Sequence, residues 1–397
     1  VTQNNILVFD VETSIYNKGS PFDSRNFLVS YVTLLNNQRR FMYYTDPDFR
    51  SHLQQSVDGC AVICGFAIKF DLHWARRIGI VIPSHVKIWD VQLAEFIASG
   101  QQLPYDSLDA ACERYGLPRK PDLVREYWKQ GISTENIPVP IVEEYNTHDV
   151  VDATYPLFLI EQNMLDEKQK ALVYLEGEDL KTLQAAEYAG MKFDVAQAIN
   201  TVSALQTEVA TIKQTLNEFV PSEATDFNWN SGDQLSALLY GGTITYDYAI
   251  SAPAIYKSGA KLGQAYTKNT WHEKHVCFLG YFTPDPEKEV AKTKGNPTAK
   301  VRYYQTDAPT LLSLKAKTKE QQALLAALTA LSVKAKACEM IESFIKINEE
   351  QQWNGFIHGQ FNQNTVVTGR LSSSKPNLQN TDENVDNLLI SRYDCQL

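Results

Sequence analysis

The sequence predicts a mixed α/β chain: a strand-rich region over residues 1–165 and a mostly helical middle over 166–355. Three observations carry that expectation. The run Ile6-Leu7-Val8-Phe9-Asp10-Val11-Glu12-Thr13 is apolar up to a pair of acids and reads as a buried strand. Phe27–Leu35 and Arg40–Tyr44 are rich in aromatic and β-branched residues between turn formers, so further strands join the first. Far downstream, Ile199, Val202, Leu205, Val209, Ile212 and Leu216 alternate spacings of three and four, the stripe of a long helix packing in an antiparallel pair.

The chain has 397 residues, more than one core usually accommodates, so two or three domains are expected. Apolar residues make up 44%, ordinary for a globular protein. No run approaches the ~20 apolar residues of a membrane span, and the N-terminus has no basic-then-apolar leader, which places the chain in the cytoplasm without a membrane. The cysteines at 60, 64, 112, 277, 338 and 395 form no C-x-x-C pair and are expected as reduced thiols. His272 and His275 lack a second ligand pair and read as surface residues. A net charge of −10 argues against whole-surface attraction to nucleic acid. Five basic residues between Lys288 and Arg302 suit a local basic groove or a solvated loop equally well.

After the first strands, Cys60–Ile68 is a short apolar run, and Lys69-Phe70-Asp71-Leu72-His73-Trp74 leads into a helix that Gly79 stops. Val86–Trp89 is another strand, with Asp90 as the N-cap of a helix running through Ile97. Side chains two apart on a strand share a face, so Asp10 and Glu12 point one way while Phe9 and Val11 point the other. Two acids on one face attract a divalent metal; a solvated strand end is the plainer alternative. In Tyr145-Asn146-Thr147-His148-Asp149, helical spacing brings Tyr145 and Asp149 to one face, either as a site or as the polar stripe of an amphipathic helix.

Asp10-x-Glu12 on a first strand, then Gly65-x-x-x-Lys69-Phe70-Asp71, then Tyr145-x-x-x-Asp149 resemble the three motifs of the DEDDy 3′-to-5′ exonuclease superfamily. The resemblance implies a ribonuclease H-like mixed sheet, metal binding by Asp10, Glu12, Asp71 and Asp149, and a water-orienting hydroxyl at Tyr145. One departure is Ala67, where the second motif usually carries asparagine; a hydrogen bond to the substrate or to Asp71 is then lost, and activity is expected to be weaker. Phosphodiester hydrolysis needs charge neutralised, a hydroxide generated and the leaving oxygen steadied. Two divalent cations ~3.5–4 Å apart do all three. Magnesium, or alternatively manganese, suits four carboxylates.

In the middle, helix extends to a C-cap at Gly190, Met191–Phe193 is extended, and Asp194 caps the next helix. Phe227-Asn228-Trp229-Asn230-Ser231 precedes a short helix that ends at Gly241-Gly242, the stretch to Arg302 suits a hairpin plus a mobile loop, and helix resumes from Pro309 with a Thr318/Gln321 capping box. Lys315, Lys317, Lys319, Lys334, Lys336 and Lys346 lie along these helices, tracking a phosphate backbone or facing water.

Thr368-Gly369-Arg370-Leu371-Ser372-Ser373-Ser374-Lys375-Pro376-Asn377-Leu378-Gln379-Asn380 resembles the T-G-R-L-S-S-x-x-P-N-L-Q-N signature of family A DNA polymerases. Lys375 stands where aspartate is usual, and Thr381 where isoleucine is. Gly190–Asp194 and Phe227–Leu235 resemble that family's G-I-x-V-D and F-N-x-N-S-x-x-Q-L. The resemblance implies that Arg370 reaches the minor groove at the primer terminus, that Asn377, Gln379 and Asn380 lie along template and primer, that 166–355 is a thumb with a bacteriophage-type insertion near 242–302, and that 356–397 is the start of an α+β palm. It also implies single-stranded 3′ ends and primer-template DNA as substrates, with a processivity factor as a further candidate partner. The D-Y-S-x-x-E-L-R strand, fingers helix and H-D-E of the family are not in the sequence. Nucleotide addition is therefore expected to need a separate or missing C-terminal half carrying the remaining palm and fingers, as in a split polymerase. The alternative is a catalytically weak DNA-binding module that supports a second polymerase subunit.

Overall fold

The computed structural model describes residues 5–392 apart from 121, 259, 260, 262 and 293–300, with backbone alone for 290–292, 301 and 302. Val1–Ile199 with Met340–Leu397 form one compact unit, and Asn200–Glu339 form a second. The expected break near residue 165 is not where the chain divides. Residues 166–199 and 340–355 go with the first unit, because the helix after residue 166 packs into its core.

The first unit is built on strands β1 (Ile6–Thr13), β2 (Leu28–Leu35), β3 (Gln38–Tyr43), β4 (Val62–Gly65) and β5 (Lys87–Asp90) in the order β3-β2-β1-β4-β5. β1 runs antiparallel to β2 and parallel to β4, so the sheet is mixed, as expected. Helices α1 (Phe49–Asp58), α2 (Lys69–Arg77), α3 (Val91–Ala98), α4 (Leu108–Tyr115), α5 (Leu123–Lys129), α6 (Val139–Thr147), α7 (Tyr155–Met164) and α8 (Glu167–Ala189) cover it. Leu7, Phe9 and Val11 share a core with Leu53, Leu72, Trp74 and Leu180, while Ile6 and Val8 share another with Trp89, Val91, Leu157 and Val173. Helices on both faces explain why β1 is apolar at successive positions rather than alternating.

α8 opens with a capping box between Asp166 and Gln169. It lies so close to β5 that a Cβ on Gly177 would come 2.3 Å from the Ile88 carbonyl oxygen. Replacing Gly177 with alanine therefore forces α8 off the sheet. The expected cost is about 1–3 kcal/mol, read as a lower urea midpoint.

α8 ends at Gly190 and β6 (Met191–Phe193) follows, with Asp194 accepting from the Gln197 amide at 2.9 Å at the start of α9 (Val195–Leu216). In the second unit, Val202, Leu205 and Leu216 of the α9 stripe are buried and Val209 and Ile212 partly so; Ile199, just before that unit begins, is half exposed, against expectation. The unit continues with α10 (Gly232–Tyr240), the antiparallel hairpin of β7 (Gly242–Ile255) and β8 (Ala265–Phe278), the antiparallel pair β9 (Glu289–Lys292) and β10 (Val301–Tyr304), α11 (Ala308–Ser313) and α12 (Lys319–Glu350). Leu216 of α9 and Leu324, Leu328 and Leu331 of α12 share one core, and Glu208 pairs with Lys334 at 2.9 Å, so the two helices run antiparallel. Thr318 and Gln321 form the expected capping box. The expected mobile loop falls largely on 293–300, outside the described residues.

The first unit closes with β11 (Phe356–Ile357), β12 (Gln360–Asn362), β13 (Ser372–Ser374), α13 (Glu383–Asp386) and β14 (Leu389–Ile390). β6 is the middle strand between β11 and β14, and β12 pairs antiparallel with β13. Cys60, Cys64, Cys112, Cys277 and Cys338 form no disulfide among the described residues, and burial pushes Cys60 up to about 12 and Cys112 to about 11. No helix among the described residues is long and apolar enough to cross a membrane.

Candidate active site

Asp10 and Glu12 sit at the end of β1, opposite Val32 and Ser30 of β2, and share a face as period-2 geometry requires. Asp149 arrives from another direction. Carboxylate oxygens of Asp10, Glu12 and Asp149 all lie within 4.8 Å of one another, the one such acidic group among the described residues. Tyr145 and Asp149 do not lie on a plain α-helix, as the spacing had suggested. Tyr145 is on α6, whereas His148–Thr154 is a wider π-helical stretch that turns Asp149 inward, where its Oδ1 is buried without a hydrogen-bond partner. Such π-bulges concentrate at functional sites.

Asp71 is placed differently from the other three acids. It lies in the first turn of α2, and its Oδ1 accepts from the Val11 amide at 3.0 Å. The parallel pairing of β1 with β4 stops at Val8–Cys64, so this carboxylate serves the backbone where the strand partner has run out. It remains close enough to raise the Asp10 carboxyl electrostatically.

The structure adds three residues that sequence reasoning missed. Lys120, on the loop before α5, ion-pairs through its ammonium with Asp149 Oδ2 and lies 3.3 Å from the centre of the Tyr145 ring. Asn146 donates from Nδ2 to Asp10 Oδ2 at 2.7 Å. Asp90, expected only to cap α3, accepts from the Gln92 amide at 2.9 Å and also from the Ala67 and Ile68 amides at 3.1 Å each. It thereby ties the loop before α2, and with it Asp71, to the end of β5.

Ala67 itself adopts φ +51°, a left-handed conformation that a side chain with Cβ disfavours. Ala67→Gly is therefore expected to raise stability by about 0.5–1 kcal/mol, the strain relieved less the entropy of glycine in the unfolded chain. An unchanged or lower urea midpoint contradicts this.

Burial, then the neighbouring acids Asp71, Asp149 and Glu12, raise the Asp10 carboxyl well above the usual carboxylate range. Burial likewise raises Glu12 to about 7, with Lys120 opposing. Burial depresses the Lys120 ammonium, but Asp149, Glu12, Tyr145 and Asp10 more than offset it, so the amine is held above its ordinary value. Tyr145 is raised by burial, and Trp128 packs edge-on against its ring at 5.6 Å. Asp10 and Glu12 carboxyls that resist ionisation, set beside a buried Asp149 oxygen without a hydrogen-bond partner, match what a hard divalent cation binds. Asp10, Glu12 and Asp149 would hold it.

The other predicted residues lie elsewhere in the first unit. Arg370, Asn377, Gln379 and Asn380 are all exposed, on and after the β12–β13 hairpin, and Asn377 Oδ1 accepts from the Gln379 amide at 3.0 Å. The same region is anchored by Glu187 of α8. Its carboxylate takes Lys69 at 2.6 Å, His73 Nε2 at 2.8 Å and the Phe361 amide at 2.7 Å. A cavity of about 540 Å³ opens beside this bridge, between Phe70 and His358, and does not reach the carboxylate group.

In fold, the chain is like a DNA polymerase domain. It is similar to the POL domain of Pol1 from M. smegmatis, solved in complex with DNA primer-template and dNTP, with a TM-score of 0.60 and 18% identity over 96% of this chain and 53% of that one. It thus spans about half the length of that structure. The family model for DNA polymerase family A matches residues 287–389, which include the Thr368–Asn380 signature. No curated protein matches the chain. The chain is therefore like that polymerase domain in fold and, over residues 287–389, like DNA polymerase family A in sequence.

Proposed function

We propose that the chain is the metal-dependent 3′-to-5′ exonuclease and primer-template-binding part of a family A DNA polymerase, with a ribonuclease H-like first domain. The observation that supports this most is the meeting of Asp10, Glu12 and Asp149, three acids from two motifs far apart in sequence, with Tyr145 close to Asp149. Bound divalent cations, magnesium or manganese, supply charge neutralisation and an acidified water. The chain's own residues do the rest. Asn146 fixes the Asp10 carboxylate, Tyr145 offers a hydroxyl to orient the attacking water, and Trp128 keeps that ring in place. Arg370, Asn377, Gln379 and Asn380, exposed together, are suited to grip the duplex end.

One observation favours the second reading, a weak nuclease that chiefly binds DNA for a partner subunit. The Lys120 ammonium already neutralises Asp149, and Ala67 replaces a side-chain hydrogen-bonding group. The test is release of mononucleotides from a 3′-mismatched primer in magnesium and in manganese, by the parent chain and by Lys120→Met. Release by the parent supports the exonuclease. Silence in both metals, with DNA binding retained, supports the binding module.

A further inference from the structure

The β7–β8 hairpin presents two chemically different faces. Its register pairs Tyr246 with Lys274, Tyr248 with His272, Ile250 with Thr270, Ala252 with Lys268 and Ala254 with Tyr266, and directly opposed residues share a face. At the root of this face, Val276 and Phe278 are buried and Ile244 and Tyr246 pack on the core of the second unit. Further out, the same face leaves the core and becomes exposed, with Tyr248 45% and Ile250 51% accessible. Tyr248 and His272 stack at 5.5 Å, and Tyr266 meets Tyr256 beyond the strand end at 4.4 Å with the rings tilted by 33°.

Charge separates in the same way. Lys268, Lys274 and His272 are on the aromatic face, while both carboxylates of the two strands, Asp247 and Glu273, oppose each other on the reverse face beside Trp271. Like charges set directly opposite destabilise a ribbon. Their effect here is to keep the strands' own carboxylates off the aromatic face. Lys268 is exposed and makes no ion pair among the described residues, and Lys274 donates to the Glu223 carbonyl oxygen rather than to a carboxylate.

We infer that this Tyr248–Tyr266 face of the β7–β8 hairpin is a binding surface for single-stranded nucleic acid, with bases against the exposed Tyr248 ring and the half-buried Tyr266 ring and phosphates against Lys268 and Lys274. Aromatic planes alternating with cations along an extended ribbon are the elements that grip a single strand without reading sequence. The inference rests on the reading of the chain as a DNA-handling protein but needs neither the carboxylates nor a metal.

The test is binding of the whole chain to a fluorescein-labelled oligothymidylate in EDTA, which silences metal-dependent cleavage. The triple variant Tyr248→Ala, Tyr266→Ala, Lys268→Glu is expected to bind about tenfold or more weakly. Trp271→Ala, on the reverse face, is expected to bind like the parent. Lys268→Gln alone, an exposed change that leaves folding intact, should lower the slope of log affinity against log salt by about 0.7. The inference is overturned if the triple variant binds within twofold of the parent, if Trp271→Ala loses as much, or if a blunt duplex competes as well as the single strand. Binding through this face by a chain that releases no nucleotides would refute the exonuclease and leave the hairpin site standing.

Discussion

Mononucleotide release from a 3′-mismatched primer, the activity proposed for this chain, is expected to fall at least ~10²–10³-fold when Asp10 and Glu12 are both replaced by alanine, the size of effect that loss of preorganised charge at a reaction centre produces. The two acids are adjacent on one face of β1 and share the group with Asp149, so their effects are not independent. Either single substitution is expected to account for most of the loss. The fold should not suffer. Glu12 is buried and its carboxyl is raised to about 7 by burial, so its ionised form is a cost to the protein that alanine removes. The double variant should therefore melt at or above the parent temperature without metal, while activity is gone. A double variant that keeps the parent rate would remove these acids from the chemistry.

The second large effect is at Glu187. Replacement by alanine is expected to cost about 3–5 kcal/mol, because it strands the Lys69 ammonium and the Phe361 amide with no carboxylate to meet them. Lys69 keeps some solvent access, which places the expected loss toward the lower figure. The pH dependence has a definite sign. Burial raises this carboxyl, but the hydrogen bond from His73, the charge of Lys69 and the Phe361 amide outweigh it, and the net shift is downward. A carboxyl with a lowered folded value contributes its full stability above the ordinary glutamate value of about 4.3 and loses it as pH falls through the folded one. The stability gap between the parent and Glu187→Gln should thus be constant near neutrality and close in acid. Urea midpoints of both proteins from pH 7 down to 3 read this directly, and a gap that widens in acid contradicts the bridge.

Sequence made some of this legible for physical reasons. The alternation that puts Asp10 and Glu12 together is a local rule, and so are the caps at Asp90 and Asp194. Lys120 could not be found that way. It lies in an irregular loop after Pro118, and only the tertiary fold brings it to Asp149 and Tyr145. The π-helical stretch that aims Asp149 was hidden because one extra residue per turn leaves no mark on the periodicity. Asp90 was half seen, its capping role being local and its hold on Ala67 and Ile68 long-range. The assignment of α8 to the first unit turned on Val173, Gly177 and Leu180, whose partners on the sheet are about a hundred residues earlier.

β6 has a neighbour on each side, yet both neighbours, at 356–357 and 389–390, are made after the whole of residues 200–339. At ~5–20 residues per second, a ribosome leaves β6 with both edges open for about 10–30 s. During that interval Met191–Phe193 can pair with any extended strand nearby. Yield during synthesis should accordingly depend on translation speed and chaperone supply more than on the stability of the finished molecule, and slowing elongation should send more of this chain into aggregates.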